Sequence, residues 1–211
     1  MEQISFSTQT QTPSALLSYV VHVCQCAPVE CFPMENQIFF KELCKSGCKN
    51  YAQKWSCPPY SPSFCQFAKG WEWLNILYMK IYLHQFSYIK NPYLKVKAGN
   101  SILKSKADKI LGMMSQKYDG RYISTGSCRR CKPCKCKQSL PCAYPEQMAY
   151  SFEALGIDVS QLVKYCFQQP LFWYSNGNVP EYTSVVCGLL THSPLQIRYW
   201  ETEYRSFFKE T

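Results

Sequence analysis

The feature that most restricts this chain is the spacing of one group of cysteines: Cys128, Cys131, Cys134 and Cys142 follow one another as Cys-x2-Cys-x2-Cys-x7-Cys. The run begins like that of bacterial ferredoxins and departs from it only in the distance to the fourth thiol. Such tight spacing suits a cuboidal cluster, whose irons lie only a few ångströms apart. One irregular loop can then supply three thiolates while its amides point at the sulfides. Zinc is the alternative, because paired Cys-x2-Cys elements build zinc ribbons, but ribbon knuckles are usually separated by many more residues. Cys136 falls inside the same loop, either as a thiol beside the cluster or as a rival to Cys134, and the ferredoxin-like spacing favours Cys134.

A second group, Cys44-x3-Cys48-x8-Cys57-Pro58-Pro59, offers three close thiols and no obvious fourth. Proline directly after a cluster cysteine stiffens the exit of the loop and removes an unwanted donor. Radical SAM enzymes also use three cysteines. The eight-residue gap before Cys57, and the lack of a barrel-length strand and helix series behind it, argue against that class. Cys65, or one of Cys24, Cys26 and Cys31, can complete a four-thiolate site. Otherwise one iron keeps an open position, where a small molecule or hydrosulfide binds.

Fourteen of 211 residues are cysteine, in a chain that is 46% hydrophobic and long enough to fill a core without disulfides. No stretch approaches the roughly 20 apolar residues of a membrane span, and Met1 to Thr12 is polar, unlike a secretory signal. A cytoplasmic, oxygen-sensitive protein without membrane association is therefore expected, its clustered thiols serving metal or redox chemistry. The formal net charge of +9 counts those thiols as neutral, and thiolate-ligated clusters would offset part of it. Arg129, Arg130, Lys132, Lys135 and Lys137 crowd the third cysteine loop. They compensate thiolate charge and tune cluster potential, or they dock an acidic electron donor such as a ferredoxin or flavodoxin, or an anionic substrate.

Apolar periodicity places the scaffold between these loops. Asn75 to Leu83 alternates as a half-buried strand, and Leu16 to Val23, Arg121 to Thr125 and Thr183 to Thr191 are further strand candidates. Ser101 to Tyr118 has helical spacing with Asn100 or Ser101 as cap and Gly120 as stop. Pro145 to Leu155 reads as a helix, as do the segment from the Asp158 cap through Cys166 and Pro194 to Phe208. The expectation is a single α+β domain over residues 1–211: a small mixed β-sheet with flanking helices and cysteine-rich metal-binding loops at strand ends. Cys166 and Cys187 fall within a helix and a strand and are read as buried, non-ligating thiols. His22, His84 and His192 have no metal-ligand spacing.

Three sequence blocks resemble a prokaryotic domain-of-unknown-function family of predicted cysteine-rich metal-binding proteins. They are Cys44 through Cys48 to Trp55-Ser56-Cys57-Pro58-Pro59, then Gly126-Ser127-Cys128 through Cys134 with Pro141-Cys142, and Ser151-Phe152-Glu153-Ala154-Leu155-Gly156-Ile157-Asp158-Val159. The resemblance spans about residues 41–159, with the strand and helix of 183–208 packed on that core. It implies Cys44, Cys48, Cys57, Cys128, Cys131, Cys134 and Cys142 as the metal-binding set and leaves the reaction open. Ala143 stands where the family often has a basic residue.

The functional expectation is an iron-sulfur protein with two 4Fe-4S clusters. One is fully ligated by cysteine for electron transfer. The other rests on Cys44, Cys48 and Cys57, with an open iron for redox or sulfur chemistry on a small, anionic substrate. A non-catalytic iron-sulfur carrier and a zinc-stapled nucleic-acid or protein-binding module are the alternatives, with nucleic acid disfavoured because the main basic segment is the cysteine loop itself. Tyr51, Lys54, Trp55 and Tyr60 shield the first loop or wall a ligand site. Lys54 and Glu153 are the candidate catalytic residues.

Overall fold

The computed structural model describes residues 1–175 and 177–209. Strands β1 (Glu2–Gln11) and β2 (Leu16–Cys26) precede helices α1 (Gln37–Gly47) and α2 (Phe64–Phe67). Strand β3 (Trp73–Tyr82), helix α3 (Pro92–Lys117) and strand β4 (Arg121–Ile123) follow, then α4 (Val159–Phe167), β5 (Tyr182–Thr191) and α5 (Tyr199–Lys209). The sheet runs β1-β2-β3-β5-β4. The α+β class therefore holds, but every described strand pairing is antiparallel, so the sheet is not mixed.

Strand alternation divides the core between the two faces. Leu17, Tyr19, Val21 and Val23 of β2, with Leu77, Met79 and Ile81 of β3, face α3 and α5, while Cys24, Cys26, Leu74 and Ile76 enter the opposite layer. Val96, Gly99, Leu103, Ala107, Ile110, Leu111 and Met114 form the buried stripe of α3 at three- and four-residue steps. From α5, Trp200 and Tyr204 join them, and the Tyr204 hydroxyl lies 3.0 Å from that of Tyr19.

Helix α3 starts earlier than the periodicity from Ser101 implies. Asn91 caps it by accepting a 3.0 Å bond from the Leu94 amide, and Pro92 occupies the first turn, where no N–H is needed. Asn100 and Ser101, read as caps, lie inside the helix. The Asn100 amide donates to Thr183 Oγ1 at 2.7 Å and the Ser101 hydroxyl to the Lys97 carbonyl at 2.8 Å. Gly99 lets the helix approach β5, since a Cβ there would stand 2.7 Å from Thr183 Cγ2.

The continuous helix expected over Pro145 to Leu155 is absent. Two short 3-10 turns, Pro145–Gln147 and Glu153–Leu155, flank an extended stretch whose Tyr150 carbonyl accepts from the Ser124 amide at 2.7 Å. Backbone bonding to the chain leaving β4 has displaced helical bonding there. Conversely, Cys44 lies in the last turn of α1 rather than on a loop, and Cys48 is the residue that closes that helix. Strand β1, drawn from the polar start of the chain, is a sheet edge that buries Phe6 and leaves most of its other side chains partly or fully exposed.

Candidate metal centre

The first cysteine set is positioned by two clamps on α1. Asn36 caps the helix by accepting from the Phe39 amide at 3.1 Å, and the helix ends with the Cys48 amide donating to the Cys44 carbonyl at 2.9 Å. Upstream of α1, the Asn36 amide donates to the Gly156 carbonyl at 2.7 Å, Glu35 bridges Ile157, and the Asp158 amide donates to the Met34 carbonyl at 3.0 Å. Gly156 has φ +89°, and a Cβ there would sit 2.9 Å from Gln37 Cα. The Gly156-Ile157-Asp158 motif is therefore the seat of the helix that carries Cys44 and Cys48. Asp158 also caps α4, accepting from Ser160 and Gln161.

The second clamp ties the Cys57 loop to the same seat. The Ser61 hydroxyl donates to the Ala154 carbonyl, and the Tyr60 and Ser61 amides fold back onto the Cys57 carbonyl. Cys44 shares a side-chain hydrogen bond with Cys48, and the charge of both thiols reaches Cys57. Burial, then the neighbouring thiol and the Glu153 carboxylate, pushes the Cys44 thiol up. Burial also raises Cys57, to about 11, although Ser56 and Lys54 pull the other way. Apart from any metal the Cys44 and Cys57 thiols are thus held protonated. A bound cation would reverse that preference.

The tripeptide Lys54-Trp55-Ser56 pins the third cysteine loop onto this assembly. Lys54 Nζ donates to Ser127 Oγ at 3.0 Å and to the Cys128 carbonyl at 2.8 Å. Trp55 Nε1 donates to the Leu140 carbonyl at 2.9 Å, and Ser56 Oγ accepts from the Cys128 amide at 3.1 Å. Within the loop Cys131 shares a side-chain bond with Cys134, and Cys128 acts electrostatically on Cys131. Burial opposes ionisation of Cys134. The amides of Cys136 and Trp55, the bond from Cys131 and the Lys54 charge outweigh it, and the thiol falls below its usual range. Cys142 and Cys128 both act electrostatically on Tyr150.

Of the seven family-type cysteines, Cys44, Cys48 and Cys57 act on one another, as do Cys128, Cys131 and Cys134. Among the described residues, no three Cys, His, Asp or Glu side chains converge on a metal position as they stand. The donor chemistry nevertheless fits a thiolate-bound metal group. Thiols sit at the end of α1 and on two loops stapled together, backbone amides are directed at Cys134, and a lysine ammonium acts on both Cys57 and Cys134.

Lys54 is engaged in this stapling, and Glu153 acts on Cys44 and on Lys104 from the 3-10 turn behind the first set. Cys136 is buried, with its thiol directed at the Ala52 carbonyl at 3.7 Å. Cys65 is exposed on α2, its amide bonded to Glu35 Oε2. The Trp55 and Tyr60 rings are 4.7 Å apart and form an aromatic cover at the first loop. Arg129, Arg130, Lys132, Lys135 and Lys137 are all exposed. A cleft of about 650 Å³ between the end of α3, β4 and the start of the third loop takes in Cys128, Arg121, Arg129 and Arg130. It opens beside the third cysteine group, and Tyr51, Lys54, Trp55 and Tyr60, read as a ligand wall, are not among its lining residues.

The family described as "Predicted metal-binding protein (DUF2284)" matches residues 28–190, most of the chain. The chain belongs to this family. No curated protein and no solved structure gives a significant match. The family match reaches beyond residues 41–159, to take in the segment before α1, all of α4 and most of β5. Metal binding is accordingly the family's predicted property, and no described helix is long and apolar enough to cross a membrane.

Ser56 and Ser127 carry no obvious task in the sequence, and they prove to be the hydroxyls through which the two cysteine loops meet. Their adjacency to Cys57 and Cys128 is the one signal that could have found them. Cys166 and Cys187 are both buried as expected, but Cys166 shares a side-chain bond with Cys24, and Cys26 shares one with Cys31. The three N-terminal cysteines are therefore engaged with one another and with α4. His22 is neutral, lowered to about 4 by burial and then by Lys80, and its Nε2 has no partner among the described residues.

Proposed function

We propose that this protein is an iron-sulfur protein carrying two 4Fe-4S clusters. Cys128, Cys131, Cys134 and Cys142 hold one for electron transfer. Cys44, Cys48 and Cys57 hold the other with one iron free of cysteine, and a small anionic or sulfur-bearing substrate binds there. The observation that carries this reading is the Lys54-Trp55-Ser56 staple, which joins a three-thiol set to a ferredoxin-like four-thiol loop. When bound, such clusters supply one-electron transfer and, at an iron without thiolate, a Lewis-acid position.

The chain's own residues prepare that chemistry. Lys54 holds Cys128 and Ser127 in place and favours thiolate at Cys57 and Cys134, so it acts as a positioning residue for both sets. Glu153 sets a carboxylate in electrostatic reach of Cys44, where it can accept a proton from a substrate or thiol. Trp55 and Tyr60 pack as a partial aromatic cover over the first loop. The exposed cations of the third loop present a docking surface for an acidic electron donor.

The deciding experiment is anaerobic purification followed by iron, acid-labile sulfide and zinc analysis per chain beside a visible spectrum. About eight irons and eight sulfides are expected, with a brown colour that bleaches in air. A colourless, air-stable chain with zinc in the seven-cysteine set and no sulfide contradicts the proposal and leaves the zinc-stapled binding module in its place.

A further inference from the structure

Three arginines line the cleft of about 650 Å³ between the end of α3, β4 and the start of the third loop, and they are unequally satisfied. Arg129 is paired with Asp108 of α3, Nη2 to Oδ2 at 3.5 Å. Arg121 and Arg130 are in no ion pair among the described residues.

Arg121 is the most firmly held of the three. Its backbone pairs with Leu190 in β4, and Gly120 before it lies so close to β5 that a Cβ would stand 2.7 Å from the Leu190 carbonyl oxygen. Its guanidinium carbon lies 4.0 Å from the centre of the buried Phe67 ring. Arg121 is half-buried, so its charge is neither fully hydrated nor neutralised by a carboxylate. A guanidinium fixed by a strand and an aromatic face keeps its donors in a fork that matches carboxylate or phosphate oxygens. Ser127 adds a hydroxyl donor to the lining. Its Oγ accepts from Lys54 Nζ at 3.0 Å, and its own proton goes to no acceptor among the described residues. The Ser115 and Ser124 hydroxyls, which also line the cleft, are spent on the carbonyls of Gly112 and Gly126.

We propose that this cleft binds a small molecule headed by a carboxylate or phosphate group, with the oxyanion on Arg121 and Arg130 and the Ser127 hydroxyl as a further donor. Its volume falls within the roughly 300–1,000 Å³ of small-molecule pockets. Two other carboxylates on the lining, Asp119 and Glu146, are exposed and in no ion pair among the described residues. They oppose an extended acidic surface, and they can accept from a hydroxyl or amino group carried by a compact anion. Lys132, Lys135 and Lys137 do not line the cleft, so those cations stay free for a protein partner. The cleft also takes in Cys128, so the bound anion sits beside the third cysteine loop. The site goes beyond the iron-sulfur reading, because no thiol holds the anion and binding needs no particular metal.

The test is isothermal titration calorimetry of the full chain, purified anaerobically with its metal and kept at low ionic strength, with inorganic phosphate, succinate and choline as separate titrants. Saturable binding of phosphate or succinate at a single site is expected, with none of choline, and the tighter titrant identifies the head group. Arg121→Gln should weaken that binding about tenfold or more, with metal per chain and circular dichroism unchanged. Arg121→Lys, which keeps the charge without the fork, should recover only part of it. If the variants fail to fold, the wild type decides. Phenylglyoxal modification, mapped by mass spectrometry, should be slowed by the bound titrant at Arg121 and Arg130 and unaffected at the exposed Arg198. Saturable binding of neither oxyanion, equal binding of choline, unchanged affinity in Arg121→Gln, or protection of Arg198 equal to that of Arg121 overturns the proposal. Iron and zinc are counted on the same samples, so a failure of the iron-sulfur reading shows there and leaves the anion result to stand or fall by itself.

Discussion

On the face of the sheet under α3 and α5, Leu103, Ile110, Leu111 and Met114 pack on Val21, Leu77, Met79 and Leu189 in one aliphatic and aromatic layer. On the other face, α4 and the segments around residues 31, 64 and 152 cover a layer that includes thiols. Beyond that layer the Cys44 to Cys57 and Cys128 to Cys142 segments are joined by a handful of polar bonds. Buried area supplies roughly 1.5–3 kcal/mol for each large apolar side chain on the first face, while each bond between the loops contributes only about 1 kcal/mol. Both faces of the sheet therefore carry an apolar core, and the segments that rest on polar bonds are the two cysteine segments beyond the second. On the proposed reading, the order of those two segments should follow metal content.

The sharpest way to break this contrast is to remove a ligand. Cys128→Ala or Cys131→Ala should abolish one cluster, about four irons, and make residues 126–142 sensitive to limited proteolysis while the sheet's circular dichroism persists. Full iron retention in both variants would show that the ligand set is wrong. Next in size, Leu111→Ala on the aliphatic face should cost about 2–5 kcal/mol in denaturant unfolding, with iron per folded chain unchanged. Iron loss in that variant would erase the distinction between the faces.

Gly156→Ala tests the seat of α1. The substitution forces a side chain into φ +89° and against Gln37 Cα at 2.9 Å, for about 2 kcal/mol. Iron loss should be confined to the Cys44, Cys48 and Cys57 set, read by Mössbauer spectroscopy. The smallest effect is expected for Lys54→Met, which removes two hydrogen bonds from an intermediate-exposure site, about 1–2 kcal/mol. It should shift the reduction potentials of both clusters, because its charge reaches Cys57 and Cys134. A shift in one cluster alone would mean that the staple does not serve both loops.

Much of the aliphatic face is legible in the amino-acid sequence, because alternation in β3 and β5 and the Leu103 to Met114 stripe are local periodic signals. The start of α3 is not. Gly99, Asn100 and Ser101 look like a boundary in sequence, and only the contact with Thr183 explains their place inside a helix. The break at residues 148–152 is hidden for the same reason, since the Tyr150 carbonyl is claimed by Ser124 from across the layer. Spacing locates the two cysteine groups. Their connection through Ser56, Lys54 and Ser127, and the meeting of Cys24 with Cys166, depend on pairings far apart in the chain that no local pattern encodes.

The most direct measurement is a crystal structure of the anaerobic protein with anomalous data at the iron edge. Iron should lie at both cysteine sets, with four cysteine sulfurs on the cluster at Cys128, Cys131, Cys134 and Cys142. The cluster at Cys44, Cys48 and Cys57 should have three, with its remaining iron facing a non-cysteine ligand. A fourth cysteine on that cluster, Cys65 or Cys136 for example, would make it an electron-transfer centre only, and no iron at either set would contradict the account.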